Sequence, residues 1–148
     1  MPQMFKRILA PIDFSADSFA AMDRAWELAK SAGAELHLLH VVPPQHLITL
    51  PGEQAAETAR ETILLEEAEE ELTRLKKERL ENSAKVVLAA IIGPPVQKIT
   101  DYAAQHDIDL ILLSRHGRTG LGHMIIGSVA EKLTRYAPCA VMVMRPQR

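Results

Sequence analysis

Cysteine, glycine and aromatic residues are all scarce in this chain, and each scarcity closes off a class of protein. One cysteine in 148 residues, Cys139, leaves no internal disulfide framework. It sits in an apolar run and reads as a small core or strand residue rather than a nucleophile. Aromatic residues make up 4%, the formal net charge is −2 and the sequence pI is near 6.3, so no basic, ring-studded face for nucleic acid is expected. Long hydrophobic runs are missing too. The longest, Val86 to Ile92, falls far short of the ~18 residues a membrane span needs. Ile8 to Ile12 is too short for a secretory leader and ends at Asp13. The expectation is a cytoplasmic protein with neither a membrane nor a nucleic-acid partner.

What is present is a globular composition, 47% hydrophobic and 24% charged, in a length that suits a single domain over residues 1–148. Acidic charge gathers in one place. Residues 53–81 hold 10 acidic and 5 basic side chains, while the rest of the chain holds 9 and 12. The acidic stretch reads as the solvated faces of a long helix whose apolar stripe is Leu64, Ala68, Leu72 and Leu75. The mild positive balance elsewhere suits a small anion.

Hydrophobic periodicity predicts strands alternating with helices. Strands are expected at Lys6 to Ile12, Glu35 to Val42, Lys85 to Ile92, Asp109 to Leu113 and Cys139 to Met144. Between them, Ser15 caps a helix to about Ser31 that Gly33 stops, with Phe19, Met22, Trp26 and Ala29 on its apolar side. A second helix runs from about Glu53 to Asn82. A third opens on Pro95, lined by Val96, Ile99 and Ala103. The fourth runs from Ser128 to about Ala137, with Val129, Leu133 and Tyr136 inward, and Pro138 ends it. Near-continuously apolar strands with helical crossovers imply a parallel sheet covered on both faces. Ligands in such sheets bind beyond the carboxyl ends of the strands, where the winding reverses. Asp13 and a glycine-rich loop after the fourth strand both stand at such ends.

That loop reads SRHGRTGLGHMIIGS from Ser114 to Ser128, and Gly117, Gly120, Gly122 and Gly127 are four of the chain's seven glycines. Glycine between a strand and a helix lets backbone amides turn toward a phosphate at the helix N-terminus. Arg115 and Arg118 would add charge. Two other readings stand beside this one: a tight structural connection, and a capping box from Ser128 to Glu131 that needs no ligand. Gly117 and Gly122 have P-loop spacing, but His123-Met124 follows where lysine and a hydroxyl are needed. The dinucleotide fingerprint fails as well, since Asp13-Phe14-Ser15 contains no glycine.

Over nearly its whole length the chain resembles the universal stress proteins. The matching pieces are Ile8-Leu9-Ala10-Pro11-Ile12-Asp13-Phe14-Ser15, Leu39-His40-Val41-Val42, Gly93-x-Pro95 and the loop from Gly117 to Ser128. ATP-binding members carry G-x2-G-x9-G-S/T; here Ser114 replaces the first glycine. The resemblance implies an open five-stranded parallel sheet, order 3-2-1-4-5, of Rossmann-like α/β type. It also implies ATP, with Pro11, Asp13 and Val41 against the adenosine, Asp13 being the one candidate toward a Mg2+ carried by the nucleotide. Ser114, Gly117, Arg118, Gly127, Ser128 and Val129 would line the phosphates. At Ser114 a required positive φ would cost about 1–2 kcal/mol and weaken binding around tenfold.

The implied role is a stress-response or signalling protein with at most slow ATP hydrolysis and an unidentified protein partner. Its homodimer would pair through Val141, Met142, Val143 and Met144, an apolar strand that would otherwise be a bare sheet edge. The alternative is a nucleotide-free homodimeric interaction module, toward which Ser114 is a step. An adenylyl- or phosphoryl-transferring enzyme ranks below both, because no nucleophile can be named. A receiver domain built on Asp13 lacks its acidic pair and its lysine. His37 and His40, three apart on a strand, point to opposite faces and cannot chelate one metal. His116 and His123 read as solvated loop residues.

Overall fold

The computed structural model describes residues 3–44, 50–115 and 127–145. Nine elements alternate among them: β1 Arg7–Pro11, α1 Ala16–Ala32, β2 Glu35–Val42, α2 Gln54–Arg79, β3 Val86–Ile92, α3 Pro95–Gln105, β4 Leu110–Ser114, α4 Ser128–Tyr136 and β5 Ala140–Met144. The five strands are parallel and lie in the order β3-β2-β1-β4-β5.

Alternation along each strand divides the core in two. Ile8, Ala10 and Ile12, Leu36 and Leu38, Leu110 and Leu112 face α1 and α2, where Met22, Ala25, Trp26, Leu72 and Leu75 meet them. Leu9, Leu39, Val41, Ile111 and Leu113 face the other way, against Ile99, Tyr102 and Ala103 of α3 and Ala130 and Leu133 of α4. Both faces are apolar because both are covered.

Local chemistry sets the helix ends. Ser15 is the N-cap of α1, its Oγ accepting from the Ser18 amide at 3.1 Å. Gly33, left-handed at φ 70°, closes that helix. Pro95 opens α3 as its first residue. Ala137, extended as the residue before Pro138, ends α4.

Three expectations need correcting. α2 stops at Arg79 rather than Asn82, because Glu81 and Asn82 take positive φ (56° and 46°) to turn the chain into β3. Tyr136 does not point inward; it is 64% exposed, in the last turn beside the sheet's edge strand. Ser128 does not head a capping box. The N-cap is Gly127, no side chain caps the helix, and Glu131 pairs instead with Arg135 at 2.9 Å.

Candidate functional site

The strand order places the change of winding direction between β1 and β4, since β1 leads to β2 on one side and β4 to β5 on the other. Backbone hydrogen bonds tie together the carboxyl ends around that point. Ile12 N donates to Leu39 O at 2.8 Å, Gly93 N to Val42 O at 3.0 Å, and Arg115 N to Met144 O at 2.8 Å. All of these bonds lie just past the paired residues, where the strands hand over to loops.

Pro11 is the last residue of β1, half-buried and in register with Leu39. Asp13 follows two residues later. Its Oδ1 accepts from the Ser15 amide at 3.0 Å and from the Ser15 hydroxyl at 2.5 Å, so the carboxylate braces the start of α1. Phe14 between them has φ 64°, a turn that swings its ring onto His40, with centroids 4.5 Å apart. His40 in turn reaches Ile12 O through Nδ1 at 2.6 Å, which makes that nitrogen the protonated one. Val41, 8% exposed, lies on the opposite face of β2 within the apolar cluster beside α3.

At the end of the neighbouring strand, Ser114 closes β4 in register with Met144. Ser114 is absent from the residues with positive φ, so the backbone penalty expected of a serine at this place does not arise. The next residue, Arg115, accepts from Gly127 N at 2.8 Å through its carbonyl. That bond seats the N-terminus of α4 directly against the end of β4. Gly127 holds φ −59° and ψ 151°, a conformation open to any residue. Ser128 and Val129 begin the helix, Val129 packing partly on the apolar cluster. Gly117, Arg118, His116 and His123 lie outside the described residues.

The structure thus gathers Pro11 and Asp13 at one strand end and Ser114, Gly127, Ser128 and Val129 at the adjacent one, with Val41 on the next strand over. Phe14, His40 and Arg115 belong to the same rim. Spacing alone did not single out the Phe14–His40 contact, because it depends on the left-handed turn at Phe14. His37 and His40 do face opposite ways: His37 meets Tyr102 of α3, while His40 meets Phe14. Among the described residues, no group of three or more His, Cys, Asp or Glu side chains could hold a metal ion. Burial, with Asp109 adding to it, pushes the Cys139 thiol above its usual range, which disfavours the nucleophilic thiolate. No described helix is long and apolar enough to cross a membrane.

Comparison with known proteins places this architecture. The model of the universal stress protein family matches residues 4–145. The universal stress protein MJ0531 of Methanocaldococcus jannaschii is 34% identical over 96% of this chain and 83% of its own. The solved structure of universal stress protein UspA from Lactobacillus plantarum is 28% identical, with a TM-score of 0.84 over 95% of this chain and 98% of that one. The solved structure of MJ0577, a universal stress protein of the same Methanocaldococcus, is also 28% identical and superposes with a TM-score of 0.86 over 98% and 99%. With the family model spanning almost all of the sequence and the sheet in the same order, this chain belongs to the universal stress protein family.

Proposed function

We propose that the chain binds ATP in the crevice between the ends of β1 and β4, acting as a cytoplasmic stress-response or signalling protein. Adenosine would lie against Pro11, Asp13 and Val41. The phosphates would meet the amides that open α4, from Gly127 through Ser128 to Val129, with Gly117 and Arg118 as the further phosphate-binding candidates of the sequence pattern. Members of the family solved in complex with cAMP (18% identical, TM-score 0.64, covering 97% of this chain and 99% of that one) and with dAMP (21%, 0.61, 95% and 98%) share the fold. They lend an adenine nucleotide as the ligand class.

One observation carries this reading: Gly127, pinned to the Arg115 carbonyl at 2.8 Å, starts α4 at the sheet's switch point in a conformation that needs no glycine. A bare Cα there serves close approach, and a helix N-terminus favours an anion through its free amides and its dipole. Ser128 strengthens the case, since its hydroxyl takes no capping bond and can face a phosphate. Hydrolysis would be slow at most. Asp13 Oδ1 is already committed to Ser15, and His123-Met124 stands where a P-loop has its lysine and hydroxyl. Asp13 would meet a nucleotide-borne Mg2+ only through its remaining acceptor capacity.

Native mass spectrometry of the purified protein tests the proposal, with an adduct of ATP mass expected on the wild type and none on Gly127→Val. At a nucleotide concentration a hundred times the Kd, ligand binding should add about 2.7 kcal/mol of stability. A chain that is nucleotide-free and shows no ATP-induced rise in melting temperature would instead be the interaction module.

A further inference from the structure

Toward the other end of β2 from Val41, a chain of polar side chains runs through the apolar face that α3 covers. His37 and Tyr102 are both 4% exposed. The His37 Nδ1 lies 2.7 Å from the Tyr102 hydroxyl and its Nε2 lies 2.8 Å from Glu35 Oε1. Because a carboxylate only accepts, Nε2 carries the proton, and Nδ1 accepts from the tyrosine O–H. His106 stacks on the Tyr102 ring with centroids 3.8 Å apart and planes 16° from parallel, and its ring centroid is 5.9 Å from that of His37. Every nitrogen of the neutral His37 ring is therefore paired, and the pairing crosses from sheet to helix.

A second proton on His37 would break this arrangement. Nδ1 would become a donor aimed at the tyrosine oxygen, forcing the O–H to turn away from its acceptor between two side chains that are themselves buried. We propose that Glu35, His37, Tyr102 and His106 form a pH-operated latch, holding α3 on β2 while the His37 ring is neutral and loosening it when the ring is protonated. The surrounding charges do not reverse the outcome. Glu35 favours the protonated ring, yet burial is the largest influence and His106 and Arg7 add to it, so His37 titrates below its ordinary 6.5. Arg7 on β1 approaches Glu35 Oε1 at 3.8 Å. Asp109 spends its carboxylate on the amides of Lys6 and Arg7 at 2.6 and 2.8 Å. On its other flank β2 pairs His37 with apolar Val87, and α4 brings only Ala130 and Leu133 into this core. Tyr102, raised by burial, stays neutral throughout.

Amide hydrogen exchange on the full chain tests the latch. Opening α3 frees one histidine to take up one proton. Protection of the α3 amides should therefore fall by up to about tenfold for each pH unit below 6.5, levelling off below the ring's own midpoint. It should fall ahead of protection in α1, which packs on the opposite face. His37→Leu should flatten this dependence. The proposal is overturned if α3 keeps its protection down to pH 5, if α1 and α3 lose equal protection in step, or if His37→Leu retains the slope. Should that variant not fold, an NMR titration of the wild-type ring decides. A midpoint below 6.5 supports the latch, and one at or above 6.5 ends it.

Discussion

Asp109 shows how much one side chain can organise. It precedes β4, yet its Oδ2 accepts from the backbone amides of both Lys6 and Arg7, at 2.6 and 2.8 Å, where β1 begins. Asp109→Ala would leave those two donors without their partner at a half-buried position, which should lower unfolding stability by about 1–3 kcal/mol in urea titration. Asp109→Asn, which keeps an acceptor oxygen, should recover most of the loss. Ser114 is the opposite kind of residue, one whose identity matters less than its place in the family pattern suggests. Because its backbone is that of an ordinary strand end, Ser114→Gly relieves no left-handed strain. Isothermal titration with ATP should therefore show an affinity change well below the roughly tenfold that a strained serine would cause. A gain of tenfold or more would mean that the serine side chain itself obstructs the phosphate.

Two helices opened by serine behave differently, and the difference can be measured. In α1 the Ser15 Oγ accepts from Ser18 N and also donates to Asp13, so Ser15→Ala should cost about 1 kcal/mol, up to 2 at the extreme. In α4 the N-cap is Gly127, and Ser128, already inside the helix, caps nothing. Ser128→Ala should leave thermal stability within about 0.5 kcal/mol of wild type while weakening ATP binding. Loss of stability comparable to Ser15→Ala would restore the capping role and undercut the phosphate role together. The two cases also show why α1 was readable from residues and the start of α4 was not. Ser15 and Gly33 bracket one apolar period, and only one helix fits between them. Ser128 and Glu131 satisfy capping-box spacing on paper, but the strand-end bond from Gly127 to Arg115 sets the first turn one residue earlier. β2 was legible to the residue because Gly33 and Pro43 bracket its Leu- and Val-rich run, while the Glu35–His37–Tyr102 chain was invisible, its tyrosine standing 65 residues from its histidine.

At the scale of the molecule, the sheet has two edges and treats them differently. β3 lies under α2, whereas β5 ends the sheet with Met142 44% exposed and Tyr136 of α4 64% exposed nearby in sequence. The strand order was legible because the residues resemble a family whose sheet runs this way; alternation of apolar runs alone gives the class of fold but not which strand is outermost. An apolar outer strand is an invitation to pair, and we propose a second copy of the same strand as the partner that would close the assembly. Protonation adds a second global effect with a definite sign. His37 has a folded pKa below 6.5, so its contribution to stability is present above pH 6.5 and is lost as the pH falls from there through the folded value. Chemical unfolding followed from pH 7.5 to 5 should show that loss, and His37→Leu should remove it. The two effects can be separated, because β5 carries no titrating histidine. Light scattering on a sizing column should give twice 16.4 kDa for the wild type at pH 7.5 and 16.4 kDa for Met142→Glu, with little change in the variant's thermal midpoint. A wild type that elutes as a monomer would leave β5 an unpaired edge, and the dimer would have to be given up even if nucleotide binding stands.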